Sequence, residues 1–223
     1  MICMWCQQKF IPSIQPWQLF VKRSQLDQLC RHCQRKFLKL GKQRCPQCGR
    51  AQTDSKKCLD CQSWERLYQG KTLVNHAQWH YNAGFHDLMV AYKRYGDYEL
   101  RPVLRSLAKS VQDLAADYYV PVPTSPEHLA KRQFDTVEAI FATLVPLTHV
   151  LAKASGTSPQ GEKNRQERLQ AKQSFFVKSK MALSGKILIL DDIYTTGRTL
   201  YHARDALLAA YPDCQISSFT IAR

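Results

Sequence analysis

Eight of the nine cysteines in this chain form four Cys-x-x-Cys pairs, Cys3/Cys6, Cys30/Cys33, Cys45/Cys48 and Cys58/Cys61, all inside the first 61 residues. Two thiolates separated by two residues wrap one side of a tetrahedral Zn(II) ion at ~2.3 Å, because the tight turn between them aims both sulfurs at one point. Two pairs complete a site, so the pattern predicts two structural zinc ions. No basic flank, apolar core and small-residue cleavage site opens the sequence, so a cytoplasmic location is expected, where thiols stay reduced and disulfides are disfavoured. A redox reading needs a CxxC beside a βαβ pattern, and none surrounds these pairs. Cys45-Pro46-Gln47-Cys48-Gly49 followed by Cys58 and Cys61 suits a compact ribbon, with Gly49 easing the turn toward the metal. The first two pairs enclose FIPSIQPWQLF and suit a longer loop. Sequential pairing is the simpler scheme; a cross-braced one stays open, since loop-closure entropy grows only slowly with length. Cys214 stands apart and reads as a small buried hydrophobe.

A chain of 223 residues accommodates a zinc-ribbon module over 1–68 and an α/β domain over 69–223. Its 44% hydrophobic and 22% charged content is that of a globular protein, and no apolar run approaches the ~18 residues of a membrane span. Residues 1–68 carry 13 basic and 4 acidic side chains, and residues 69–223 carry 19 and 14. Eight thiolates on two zinc ions lower the first segment to about +5 and leave the chain basic, which favours a polyanionic partner. In the ribbon, Lys9, Lys22, Arg23, Arg31, Arg35, Lys36, Lys39, Lys42, Arg44 and Arg50 supply charge, and Trp5, Trp17 and Trp64 supply faces on which unpaired bases could stack. Nothing resembles a major-groove recognition helix, so sequence-tolerant binding of single-stranded DNA is the expectation.

Beyond Cys61 the periodicity turns α/β. Phe85, Leu88, Met89 and Tyr92 share a helical face that stops at Gly96; Pro102 opens a helix burying Val103, Leu104, Leu107, Val111 and Leu114. YYVPVP (118–123) reads as a strand, followed by a helix with Val137, Ile140, Phe141 and Leu144 inward. Residues 154–174 are polar, with Lys163, Arg165, Arg168 and Lys172, and suit a basic lid. The strand ILIL (187–190), Asp191-Asp192, the loop Thr195-Thr196-Gly197-Arg198-Thr199, a helix and the strand 214–222 form a βαβ unit, hence a parallel sheet with its ligand edge at the strand C-termini. Free N–H groups at the helix start make the loop a phosphate cradle, and two acceptor-only carboxylates suit ribose hydroxyls. A Walker reading fails, because Gly70-Lys71-Thr72 follows no apolar strand and has Glu65 where the first glycine belongs.

ILILDDIYTTGRT resembles the phosphoribosyl pyrophosphate signature of type I phosphoribosyltransferases, and with the four CxxC pairs the chain is similar to the ComF/GntX family. AYKRYGD, VPVPTSPEHLAKRQF and NRQERL have counterparts there in the same order. The resemblance implies a type I phosphoribosyltransferase fold, phosphoribosyl pyrophosphate with Mg²⁺ as ligand, and a role in DNA uptake beside a ComFA-like helicase. It places ribose contacts on Asp191 and Asp192 and 5-phosphate contacts on Thr195, Thr196, Gly197, Arg198 and Thr199. Pyrophosphate contacts fall on Thr124, Ser125, Lys131 and Arg132. Where relatives usually read Arg-Gly-Phe-Asn-Gln, this chain has Arg132-Gln133-Phe134-Asp135-Thr136. Two function classes stay open: a ligand-binding, non-catalytic part of a DNA-handling machine, and an active phosphoribosyltransferase with an unidentified acceptor.

Overall fold

The computed structural model describes residues 1–12, 28–153, 174–179 and 181–223. Short helices α1 (Arg31–Gln34) and α2 (Leu59–Leu67) each start directly after a cysteine, Cys30 and Cys58, which occupies the N-cap position. Four parallel strands follow, β1 (Asn75–Trp79), β2 (Tyr118–Pro121), β5 (Lys186–Ile193) and β6 (Gln215–Ala222), in the order β1-β6-β5-β2. A separate antiparallel pair is made by β3 (Leu151–Lys153) and β4 (Phe175–Val177).

The alternation of β5 sorts the molecule into two cores. Leu188 and Leu190 join Phe141, Phe219, Val103, Leu104 and Leu107, the side covered by α3 (Ala83–Met89), α4 (Arg101–Ala108) and α6 (Thr136–Phe141). Ile187 and Ile189 join Val120, Leu200, Tyr201 and Leu207 on the side of α7 (Arg198–Ala210). Burial of both faces explains why β5 reads as a continuous apolar run. The faces expected at 85–92 and 103–111 are buried and Leu114 is half-buried, although α4 gives way to a 3₁₀ turn at Lys109–Asp113 and α3 to a π-helical turn at Val90–Arg94.

The cysteine ribbons belong to these cores. Cys3 and Cys33 pack with Phe37, Trp79 and Phe85; Cys45, Cys48, Cys58 and Cys61 pack with Trp64, Leu73 and Tyr201. A backbone bridge from Lys39 to Trp79, with the Leu40 N–H donating to Gln78 and the His80 N–H to Leu38, extends the sheet antiparallel at β1. Cys214 is 6% exposed and immediately precedes β6, away from both clusters.

The helix α5 (Pro126–Arg132) ends on Gln133 in the left-handed region, φ 64°. This is the position where the resembling family carries glycine, and a side chain there costs of order 1 kcal/mol. Asp135 caps α6, accepting from the N–H groups of Val137 and Glu138, and its second oxygen accepts from the Thr124 N–H at 2.8 Å. The acid that replaces asparagine thus serves as a cap and a loop tether. Gln133→Gly is expected to raise stability by up to about 1 kcal/mol, read as a higher denaturation midpoint with unchanged m-value; an equal or lower midpoint would contradict the strain argument.

Candidate functional site

Each four-cysteine set, Cys3/Cys6/Cys30/Cys33 and Cys45/Cys48/Cys58/Cys61, brings its four sulfurs within 4.8 Å of one another. Pairing is therefore sequential. The knuckles are shaped by left-handed residues just after each second cysteine, Gln7 at φ 59° and Gly49 at φ 75°. Backbone N–H groups of Cys30 and Cys58 donate to the sulfurs of Cys3 and Cys45, at 3.3 and 3.4 Å. In the second set the Cys61 thiol and then the Arg223 guanidinium hold the Cys48 thiol down to about 4. Four convergent soft donors, one already biased to thiolate, fit zinc, so the two clusters suit two structural zinc ions.

The second site forms where β2 stops pairing. The β2 register runs from Tyr118 against Ile187 to Pro121 against Leu190, and the Val122 N–H still donates to Leu190. Pro121 and Pro123 have no N–H to continue the ladder, whereas β5 runs on to Ile193. From β2 the chain leads through α5 and α6 to Leu147 beside Tyr119; from β5 it leads through α7 to β6 on the opposite side. The gap is a switch point of a parallel sheet, where such sheets open a crevice at their carboxyl edge. A cleft of about 530 Å³ fills it.

Asp191 and Asp192 both line the cleft, and because they are consecutive in a strand they lean to opposite faces. Asp192, 3% exposed, pairs with Lys93 from the π-helical turn. Asp191 lies in the field of Lys153 from β3 and accepts from the Asp192 N–H at 2.9 Å. Burial, and then the Asp192 carboxylate, push Asp191 up to about 7 against the opposing pull of Lys93 and Lys153. Burial likewise lowers Lys153, offset by Asp191.

Of the residues named from sequence, Asp191, Asp192, Thr124, Ser125, Arg132, Thr195 and Thr199 line this cleft. Lys131, Thr196, Gly197 and Arg198 do not: Lys131 is exposed, Thr196 is half-buried, Gly197 is buried at φ 84°, and Arg198 is 4% exposed. A Cβ on Gly197 would collide with the Tyr194 hydroxyl. The Arg132 Nε–H donates to the Lys93 carbonyl at 2.9 Å and so fixes that turn. Sequence reasoning gave no role to Lys93 or Lys153. Lys93 sits in the quoted AYKRYGD stretch, but its approach depends on a π-turn; Lys153 belongs to a three-residue strand with no periodic signal.

The ribbon surface is partly as expected. Lys9, Arg31, Arg35, Lys39 and Lys42 are exposed and make no ion pair among the described residues, and Lys36 lies over the Trp5 ring at 4.7 Å. Arg44 donates to the Ala77 carbonyl, and Arg50 pairs with Asp60 at 3.2 Å. Trp64 corrects the expectation: it is 5% exposed, stacked on Tyr201 at 4.2 Å, and offers no face to a base. Trp17, Lys22, Arg23 and the basic side chains Lys163, Arg165, Arg168 and Lys172 lie outside the described residues. Among the described residues no helix is long and apolar enough to cross a membrane.

A parallel α/β sheet carrying two four-cysteine clusters at its amino-terminal end defines a zinc-ribbon α/β protein. The chain is 33% identical to the competence protein ComFC of Streptococcus pneumoniae (strain ATCC BAA-255 / R6) over 209 residues, 93% of each protein. It is 28% identical to the competence protein ComFC of Bacillus subtilis (strain 168) over 229 positions, 100% of this chain and 95% of that one. It belongs to the ComFC family of competence proteins. No family model matches the chain.

Proposed function

We propose that this chain is a phosphoribosyl pyrophosphate-binding component of a DNA-uptake machine, meeting single-stranded DNA and a ComFA-like helicase at its basic ribbon. The observation that carries the ligand assignment is the pair of carboxylate–lysine couples, Asp192 with Lys93 and Asp191 with Lys153, set at a sheet switch point beside a helix-opening loop. Ionised carboxylates accept from vicinal hydroxyls, and the loop from Thr195 to Thr199 offers backbone and hydroxyl donors to a 5-phosphate. Arg198 contributes there through its backbone. Lys93, Arg132, Thr124 and Ser125 face the remaining anionic end, with Lys131 at the exposed margin. Mg²⁺ would sit mainly among ligand oxygens and waters, as it dehydrates reluctantly.

The second reading, an active phosphoribosyltransferase, is favoured by Asp191, whose affinity for a proton near neutrality is that of a general base. Titration calorimetry with Mg²⁺ and phosphoribosyl pyrophosphate tests binding, and pyrophosphate release with nucleobases, ammonia or nucleic acid separates the two readings. Saturable binding with no release supports the binding role; sustained release supports the enzyme; absence of both removes the ligand assignment.

The competence names of the relatives and the exposed cations support the DNA assignment. Affinity for an oligothymidylate is expected to fall roughly 10- to 100-fold over a fourfold rise in salt, through counterion release. Substituting Arg31, Arg35, Lys39 and Lys42 together by Gln should flatten that dependence. Salt-independent or undetectable binding would shift the ribbon from nucleic acid to protein docking.

A further inference from the structure

The loop that leads into α7 is held from behind by the second cysteine cluster. Trp64 lies one turn after Cys61 on α2, and its indole N–H donates to the Thr196 carbonyl at 2.8 Å. The Arg223 guanidinium donates to the carbonyls of Tyr194 and Thr195, at 3.2 and 2.7 Å, and to the Cys48 sulfur at 3.4 Å. Asp60, between Cys58 and Cys61, lies 3.8 Å from the same guanidinium. Three consecutive carbonyls thus turn toward the cluster.

A trans peptide sets its N–H opposite its C=O. The N–H groups of Thr195, Thr196 and Gly197 are therefore directed away from the cluster, and none donates to a backbone carbonyl among the described residues. Gly197 at φ 84° ends the run in the left-handed region, the geometry that gathers successive N–H groups into an anion-binding concavity. Several such tethers acting together select one orientation of a short loop.

We infer that the Cys45/Cys48/Cys58/Cys61 cluster, acting through Trp64 and Arg223 as positioning residues, pre-orients the donors of the loop at 194–197, so that anion binding in the cleft and zinc retention in this cluster are coupled while the Cys3/Cys6/Cys30/Cys33 cluster is not. This rests on the reading of that loop as the 5-phosphate site. Bound zinc fixes the knuckle at Cys45–Cys48 against α2; the side chains of α2 and Arg223 carry that order to the loop. Linkage makes the effect reciprocal: an anion seated on the N–H groups holds the carbonyls, and through them the cluster.

The test compares Trp64→Phe, Arg223→Gln and the double variant with Trp79→Phe. The control loses a similar buried indole bond, from Trp79 to the Leu107 carbonyl at 2.8 Å, in the other core from Trp64 and with the backbone bond between Trp79 and Arg223 kept. Zinc content, melting temperature and affinity for ribose 5-phosphate and phosphoribosyl pyrophosphate are measured on each full chain. The expected result is two zinc ions in every variant and at least a 10-fold loss of affinity in the double variant that the control does not share. In the wild type, ribose 5-phosphate should slow chelator extraction of one zinc ion and leave the other unchanged, an effect the double variant lacks. Equal affinity in the double variant and the control, or extraction rates indifferent to ligand, overturns the coupling alone. A wild-type chain that binds neither compound overturns the cleft assignment, and the coupling with it.

Discussion

Stripping zinc from this chain is expected to unfold its parallel sheet along with the ribbons. Elemental analysis should find two zinc ions per chain, and removal by a strong chelator should lower the melting temperature by more than about 10 °C or abolish the cooperative transition. The cysteines lie inside the cores: Cys3 and Cys48 are fully buried, and their clusters share walls with Phe85 on one side of the sheet and Tyr201 on the other. Metal-free, four thiols within 4.8 Å gain nothing that replaces zinc coordination, and repulsion among the ionised ones opens the knuckles. Opening the second cluster releases Trp64 from Tyr201 and uncovers Leu73; opening the first uncovers Phe37 and Trp79. Structural zinc supplies about 10–16 kcal/mol in isolated fingers, as much as the whole stability of an ordinary domain, so the sheet should not outlast the metal. A metal-free chain that melts at the same temperature would refute this.

The parts of this architecture that were legible in the sequence are those with a local cause. CxxC spacing is a property of one turn, and it marked all eight clustered cysteines. The run ILIL needs burial on both faces, and the three helical faces at 85–92, 103–114 and 137–144 are set by period; each was visible in its own window. The strand β1 was not. Its sequence Asn75-His76-Ala77-Gln78-Trp79 is polar because Asn75 bonds Thr220 at 3.0 Å and Ser218 at 2.9 Å on the neighbouring strand, partners 145 and 143 residues away. The site divides the same way. The Asp pair and the threonine-rich loop are contiguous, whereas Lys93 and Lys153 arrive from separate elements, and Trp64, which looked like a stacking platform, is consumed by a carbonyl 132 residues distant.

Asp191→Asn is expected to make the protein more stable at pH 8 and its ligand binding far weaker. The wild-type carboxyl is pushed from 3.8 to about 7 on folding, by burial first and by Asp192 second. Well below pH 3.8 both folded and unfolded states hold the proton, and this group costs nothing. Between pH 4 and 7 the unfolded chain releases the proton while the folded chain retains it, so stability falls as pH rises; above 7 the loss is constant. The asparagine has no such dependence. The variant should therefore match the wild type near pH 3 and exceed it by roughly 2–4 kcal/mol at pH 8, if the amide finds the same partners. Denaturant titrations at the two pH values measure the difference; an equal or negative difference at pH 8 would contradict it. Under the proposed function the same substitution, and more so the Asp191→Ala/Asp192→Ala pair, should weaken phosphoribosyl pyrophosphate at least about 100-fold, since hydroxyl donors and a metal-bound ligand favour the ionised carboxylate. Affinity in the wild type should then rise with pH toward 7, with about one proton released per ligand bound near pH 6, countable by calorimetry in buffers of different ionisation enthalpy. Binding without proton release, unchanged in the Asn variant, would place the ligand away from Asp191. Under the proposed function, a ligand that binds the ionised carboxylate, between two lysines and beside an open strand end, would offset the cost to folding of its burial.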